Sequence, residues 1–358
     1  MRLLFVRLVC ALACATALLA TAAAGARAGV ANAGLPGARP ADPLAGMPWG
    51  NYDGSGDEVF PSYRAARGSE RGLLGLIALR PRMRWFGVWY KSPESTAAAY
   101  IANVTRGDPD ALAQMAVFRL DPWEDEACHR LPTASEQAGY RAWIDGFAAG
   151  IGSARVALVL QPDLPFARCV PHGSRVPLRD VAYAARTFSA LPHTTVYIDA
   201  GAGDWPTVAQ DVALLRAAGV RYARGFALNA THYDSTENEI RFGVRVARGL
   251  AAAGLPGMHF VINTSGNGRG FTYQQYDDPS TFDNARVCAT RASRRCVTLG
   301  IPPTWRVSSP RWGLSRRARE LAARYVDAYL WFGRPWLDNQ ADPFDLRRAL
   351  ALARSTPF

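Results

Sequence analysis

Asp163 stands between Pro162 and Pro165 at the end of an apolar run, V-L-Q-P-D-L-P over residues 159–165. A carboxyl on so stiff a turn suits proton donation at the mouth of a parallel-sheet enzyme. Two further apolar runs end on polar side chains, V-Y-I-D at 196–199 and H-F-V-I-N at 259–263. Asp121, Glu124, Asp125, Glu126, Asp338 and Asp342 also lie within a few residues of strand ends. Two carboxyls facing each other across a sugar ring hydrolyse a glycosidic bond, one giving a proton to the leaving oxygen and the other activating water. A loop acid is more often a helix cap or a surface charge. Asp163 stands apart because the prolines fix its turn, and Leu164 and Phe166 offer apolar surroundings that raise a carboxyl pKa.

Other chemistries lack their parts. Gly201-Ala202-Gly203 opens like a dinucleotide loop, but the third glycine of that fingerprint falls on Pro206. Gly266, Gly268 and Gly270 are not followed by a Lys-Ser or Lys-Thr pair, no G-x-S-x-G elbow occurs, and the five histidines form no H-E-x-x-H. No cofactor and no metal are therefore expected. Trp123, Trp205, Trp305, Trp312 and Trp336 sit in loops after strands, where an indole stacks on a pyranose face; Trp205 and Trp336 are the expected platforms, whereas Trp143 and Trp331 read as core.

These groups need a scaffold, and the hydrophobic pattern supplies one. Strands are expected at Trp85–Tyr90, Met115–Arg119, Val156–Leu160, Thr195–Asp199, Gly225–Asn229, His259–Asn263 and Tyr329–Phe332. Helical patterns fill nearly every gap: a helix after Thr133 with Glu136 closing a capping box, then Val176–Ala190, Val208–Ala218, Thr236–Ala253 with Thr236 and Glu239 as a second box, Leu314–Ala328 and Pro343–Ala353. Strands alternating with helices make an α/β fold with a parallel sheet, and seven such units in one domain imply closure or near-closure into a barrel.

The chain has 358 residues, enough for one large domain. Arg2 and Arg7, an apolar stretch to Ala24 and Ala26-Arg27-Ala28 form a cleavable leader over 1–28, which places the mature protein outside the cytoplasm, secreted or periplasmic. A lipid anchor on Cys14 conflicts with the short spacing from Arg7. Residues 29–48, rich in Ala, Gly and Pro, read as a tether to one domain over 49–358. No later run is long enough for a membrane span. The formal charge of +11 falls to +8 once Arg2, Arg7 and Arg27 leave with the leader. Lys91 is the only lysine, so the arginine excess reads as codon bias, and no nucleic-acid motif accompanies it. The arginines near Arg291, Arg294, Arg295, Arg316, Arg317 and Arg319 read as a covering loop and a solvated helix face, with an acidic polymer as the functional alternative. Four cysteines remain in the mature chain; Cys288 and Cys296 enclose a short loop and are the natural local pair, leaving Cys128 with Cys169.

The residues resemble glycoside hydrolase family 6, the inverting cellulases, from about Trp85 to Phe358. Y-R-A-W-I-D-G-F-A-A-G-I (140–151) followed by V-A-L-V-L-Q-P-D (156–163) is similar to that family's helix and E-P-D strand end. V-Y-I-D-A-G-A-G-D-W (196–205) resembles its D-A-G-H-x-x-W block, and F-A-L-N-A-T-H-Y (226–233) its T-N-x-S-N-Y block. The resemblance implies a distorted, partly open seven-stranded parallel β/α barrel. It implies the proton donor at Asp163, a supporting aspartate at Asp199, a substrate-stacking indole at Trp205 and a sugar contact at Asn229. A disulfide between Cys128 and Cys169 agrees with it.

Departures concentrate around the acid's partners. Phe118 replaces a tyrosine, and the R-D-C aspartate matches Asp125, or Glu124 or Glu126 if the register slips. The loop L-W-x-K-x-P-G-E-x-D-G is L-W-F-G-R-P-W-L-D-N-Q here, so the base falls on Asp338 with a one-residue slip and on Asn339 without it; Arg334 stands in for the lost cation. D-T-S-R-N-G has become N-T-S-G-N-G, placing Asn263 for an aspartate and Gly266 for an arginine, and Asn263 and Arg334 are expected substrate contacts. The expectation is a monomeric glycosidase acting on β-glucan polysaccharide with inversion: Asp163 as acid, Asp125 raising its pKa, Asp199 as an electrostatic and positioning group, and Asp338 as base through water. The alternative is a weak or inactive polysaccharide-binding protein of the envelope.

Overall fold

The computed structural model describes residues 41–358, the side chains of Glu124 and Asp125 excepted. The expected leader and the first part of the expected tether lie outside the described residues. Packing onto the domain begins inside the stretch expected to be a tether: Leu44 is fully buried beside Met83, Trp85 and Leu112, and Trp49 Nε1 donates to the Leu44 carbonyl at 3.0 Å. Leu44, Met47 and Trp49 supply apolar anchors whose spacing follows no helix or strand period.

In chain order the elements are α1 (Phe60–Ala65), α2 (Gly68–Ala78), β1 (Arg84–Gly87), α3 (Pro93–Thr105), β2 (Ala113–Phe118), α4 (Glu124–His129), α5 (Ala134–Ile151), β3 (Val156–Leu160), α6 (Val176–Ser189), β4 (Thr194–Asp199), α7 (Val208–Ala217), β5 (Gly225–Leu228), α8 (Thr236–Ala252), β6 (His259–Asn263), α9 (Arg316–Tyr325), β7 (Val326–Leu330) and α10 (Leu346–Ser355). The strands form one parallel sheet in sequential order. The sheet curls until β1 and β7 face each other, where Met83 N–H donates to the Trp331 carbonyl at 2.8 Å and Trp85 Nε1 to the Phe332 carbonyl at 2.6 Å. This is the partly open seven-stranded α/β barrel expected from the sequence. Among the described residues no helix is long and apolar enough to cross a membrane.

Both faces of the sheet are buried, which is why the strands read as continuous apolar runs. Ala116, Ala157, Ala227 and Ala328 point into the barrel, and their small side chains leave room for Trp85, Tyr197 and Phe332. Leu158, Leu160, Ile198, Phe226 and Ile262 point the other way into the helical layer. α5 begins on the Thr133–Glu136 capping box and runs so close to α3 that a Cβ on Gly150 would lie 2.2 Å from the Glu94 carbonyl oxygen. The segment between β6 and α9 folds back with α1, α2 and α10 around a second core that includes Phe271, Phe282, Leu299 and Trp336.

Two expectations are corrected. α8 is capped by Ser235, whose side chain accepts from Asn238 N–H, so Thr236 and Glu239 form no capping box; Glu239 is buried and accepts from Gly203 N–H at 2.8 Å. The helix expected over Leu314–Ala328 stops at Tyr325, and β7 starts at Val326, ahead of the expected Tyr329. A bulge hid it: Phe260 pairs with Val326 and Val261 with Ala328, so Asp327 drops out of the ladder and breaks the two-residue period.

The displaced Asp327 ties together the strand ends opposite the candidate site. Tyr197 Oη donates to its Oδ2 at 2.8 Å, Arg224 Nε and Nη2 bind its two oxygens at 2.9 and 3.0 Å, and His259 Nδ1 lies 3.0 Å from Oδ1. Burial favours the neutral acid, but His259 and Arg224 outweigh it and hold the carboxyl below the usual range. Replacing one member of such a pair strands the others. Asp327→Asn is expected to cost about 3 kcal/mol, read as a lower urea midpoint; an unchanged midpoint would show that the cluster does not hold the barrel.

Candidate active site at the strand ends

Beyond β3 the chain passes through two left-handed residues, Gln161 at φ 54° and Asp163 at φ 63°. Gln161 N–H donates to the Val117 carbonyl at 2.7 Å, and its Oε1 accepts from Arg119 and Leu120 N–H, both at 3.0 Å. One neutral amide thus pins the exit of β2 to the exit of β3. Leu164 anchors the turn in the core, and Asp163, half-buried, accepts at Oδ1 from the Thr231 hydroxyl at 2.6 Å. The Thr231 carbonyl accepts from Gln340 Nε2 at 2.7 Å, so loops after β5 and β7 both grip the acid.

Asp199, the last residue of β4, is fully buried. Burial first, and the charge of Asp163 second, push its carboxyl well above the usual range, towards the neutral form. Its Oδ1 accepts from Gly201 N–H at 2.6 Å. Gly201 has φ +79° and lies against Pro165 and Trp205, where a Cβ would come within 2.8 Å of the proline ring. The loops after β3 and β4 are therefore packed directly on one another.

An arc of rings follows the C-terminal ends of six successive strands: Trp85, Phe118, Trp123, Phe166, Trp205, His232, Phe282 and Tyr273, with neighbouring centroids 4.8 to 6.1 Å apart. Phe166 and Tyr273 are 39% and 40% exposed, so the arc presents apolar surface to solvent. Trp205 also lines a cleft of about 380 Å³ with Asn238, Arg241, Arg245, Thr272 and Gln274. Arg334 sits over the Trp85 ring at 4.5 Å and 4.0 Å from Glu58. Burial lowers its basicity against the opposing charges of Glu58, Asp342 and Asp163.

Three expected sugar contacts are corrected. Asn229 is fully buried, its Nδ2 donating to the carbonyls of Asp234 and Asn263 and its Oδ1 accepting from Asp234 N–H. Asn263 is likewise committed: Oδ1 accepts from Ser265, Phe332 and Gly333 N–H, and Nδ2 donates to the carbonyls of Asn229 and Ala230. Both amides bind the exits of β5, β6 and β7 together. Trp336, 1% exposed, packs on Trp331 in the second core.

Asp338 is half-buried, with Oδ1 accepting from Asn284 Nδ2 at 2.6 Å. Asp125 falls on α4, but its side chain lies outside the described part of the structure. Glu126, its neighbour in a slipped register, is turned out to pair with Arg130 at 2.8 Å. The Cys128–Cys169 disulfide ties the end of α4 to the turn after β3, and Cys288–Cys296 closes the arginine-rich loop, both as expected. Among the described residues no group of three or more His, Cys, Asp or Glu is arranged to hold a metal ion.

Sequence reasoning missed Thr231, Gln340 and the ring role of His232, which lie inside quoted motifs but look like ordinary loop polar residues. It also missed Asp211. This residue occupies the buried face of α7 with Leu214 and Leu215, a carboxyl on an apolar helical stripe.

A family model described as glycosyl hydrolases family 6 matches residues 49–335. Endoglucanase A of Cellulomonas fimi is 34% identical over 214 residues, covering 59% of this chain and 45% of that protein. Endoglucanase 1 of Streptomyces halstedii is 31% identical over 251 residues, 67% of this chain and 76% of that protein. The chain thus spans less than half of the first relative and about three quarters of the second. Among solved structures, the endoglucanase Cel6 from Mycobacterium tuberculosis, in complex with a thio-linked cellooligosaccharide, superposes with a TM-score of 0.70 at 27% identity, covering 88% of this chain and 99% of that one. An endoglucanase from Humicola insolens shares the fold at 15% identity and a TM-score of 0.63.

Asp211 gives the site a measurable electrostatic signature. Among the described residues neither of its oxygens has a hydrogen-bond partner, and burial pushes its carboxyl up to about 8 against the opposing charge of Arg168. In the unfolded chain an aspartate titrates near ~3.9. The folded protein therefore loses stability as pH rises from about 4 to about 8, and no further above that. Asp211→Asn is expected to raise the melting temperature by several degrees at pH 8 and little at pH 4.5. A calorimetric difference that does not change with pH would refute the buried neutral acid.

Proposed function

We propose, from the premise that this chain belongs to glycosyl hydrolases family 6, that it is an exported glycosidase that cuts β-1,4-linked glucan with inversion. The observation that carries this reading is the Asp163 carboxyl, held at the mouth of the barrel by the Thr231 hydroxyl beside the fully buried Asp199. The named activity of the relatives, endoglucanase, supports the substrate class. The two disulfides support an oxidising compartment and hence export. The alternative, a protein that binds polysaccharide without cleaving it, has no observation in its favour.

In this mechanism Thr231 occupies Oδ1 of Asp163 as a donor, and the proton is carried on Oδ2. Asp163 gives it to the glycosidic oxygen as the bond to the anomeric carbon breaks. Burial holds Asp199 towards its neutral form before the step, and the negative charge that develops on Asp163 reinforces this, so no second full charge builds up behind the carboxylate. Arg334 supplies a fixed positive charge towards which the ionised Asp163 relaxes. Asp338, steadied by Asn284, takes a proton from the water that attacks the opposite face of the ring. Inversion requires room for that water, roughly 6.5–9.5 Å between the two carboxyls in the productive complex. Within the arc, Phe166, Trp205 and Tyr273 offer the accessible ring surface on which successive sugars stack.

Asp163→Asn is expected to lower kcat on soluble glucan by about 10²–10⁴-fold, with calorimetric binding of cellohexaose retained. A mutant that still releases reducing sugar at the normal rate ends the assignment. Proton NMR of the fresh product should show the α-anomer first; initial β-anomer would mean retention. Thr231→Val is expected to cut kcat about tenfold, the loss of one hydrogen bond to a charged group, with KM nearly unchanged and Thr231→Ser restoring the rate.

A further inference from the structure

Beside Trp205 the chain departs from the family pattern at His232, which touches Asp204, a position that the pattern leaves open. The residue before the tryptophan of D-A-G-H-x-x-W is Asp204, and the second asparagine of T-N-x-S-N-Y is His232. His232 Nδ1 lies 2.7 Å from Asp204 Oδ1, and the two side chains are 13% and 1% exposed. The imidazole lies parallel to the Trp205 indole, 5.2 Å between centroids and 11° between planes. Phe166 meets the same indole edge-on at 4.8 Å.

Three loops converge on this pair. Asp204 and Trp205 follow β4, and His232 follows β5. From the segment after β6, Tyr273 N–H donates to Asp204 Oδ2 at 2.5 Å, Gln274 Nε2 donates to the Asp204 carbonyl at 2.9 Å, and Phe282 packs edge-on against the imidazole at 5.2 Å. An asparagine at 232 would offer neither a charge for Asp204 nor a ring for Trp205.

We propose that the Asp204–His232 pair is a positioning device that clamps Trp205 as a rigid platform for a sugar unit away from the scission point, and fastens the segment after β6 to the cleft while the pair is ionised. The idea rests on the hydrolase reading. Preordering the indole removes the cost of immobilising it when sugar binds, so the gain falls on binding and not on the chemical step.

The charges around His232 favour its ionised form. Burial opposes it, but Asp204 from the β4 loop outweighs burial, and Asp163 from the β3 loop and Asp283 from the segment after β6 add to the attraction. Asp234, on the same loop as His232, also feels the imidazolium. The imidazole is thus raised above its ordinary value, and the clamp opens when pH rises through that raised value.

Two measurements test this, and the first needs no substrate. A protonated imidazole against an indole quenches its emission, so the wild-type fluorescence minus that of Trp205→Phe is expected to rise in one step with a midpoint above pH 6.5. His232→Asn should abolish the step, and Asp204→Asn should move it to lower pH. A step unchanged in both variants overturns the proposal. Second, His232→Asn is expected to raise KM for cellohexaose about tenfold while kcat and the KM for a short aryl cellobioside stay within about twofold. Equal effects on long and short substrates, or a fall in kcat alone, overturn it. Absence of glucan hydrolysis in the wild type would defeat the functional reading, yet the fluorescence step would still decide whether the clamp exists.

Discussion

Two carboxyls at the ends of adjacent strands, Asp163 after β3 and Asp199 at the end of β4, set the terms for everything around them. In a dry site two negative charges so placed repel; burial already favours the neutral form of Asp199, and ionisation of Asp163 reinforces it. The neighbourhood avoids adding a third. Gln161 stands where the E-P-D pattern has a glutamate and still accepts both backbone N–H groups leaving β2, with an amide oxygen instead of a charge. Glu239 and Asp211, buried on α8 and α7, are pushed up by burial in the same way. The barrel mouth holds several acids because the buried ones stay neutral.

That economy of charge explains how the acid is held. Its grip comes from hydroxyl and amide groups: Thr231 on the carboxyl, Gln340 on the Thr231 carbonyl, and behind them Asn229 and Asn263 lacing the exits of β5, β6 and β7. Each of these donors is satisfied inside the protein and brings no net charge. A buried ionic contact, Asp327 with Arg224, is placed at the far end of the barrel, and Asp204 with His232 lies under Trp205.

The sequence was legible where one signal dominated. β3 and β6 fall where their apolar runs put them, α5 starts on its capping box, and both disulfides follow from loop length. It misled where tertiary contacts overrode local pattern. Asp327 breaks the period of β7 because a bulge turns it towards Arg224, and Ser235 takes the cap of α8 because Glu239 is drawn inward to Gly203. In the site, the stiff turn that carries Asp163 was readable from its prolines, whereas Asn229, Asn263 and Trp336 are buried in place of facing the cleft. A polar or aromatic residue after a strand looks the same in sequence whether it faces ligand or fastens the next loop.

The loop after β7 shows why the base is hard to place by alignment. Trp336 and Leu337 have sunk into the second core, where the family pattern has a glycine and a glutamate, and the chain must then turn sharply to reach α10. It does so through Asn339 and Gln340, both at positive φ, and the turn leaves Asn339 exposed. The residue that a gap-free alignment puts in the base position therefore points to solvent. Asp338, one step earlier, is half-buried and held by Asn284, and Gln340, one step later, reaches Thr231. Burying two apolar anchors shifts the polar register of the loop by one residue, so the carboxylate held by a neighbouring loop is Asp338 and the side chain left exposed is Asn339.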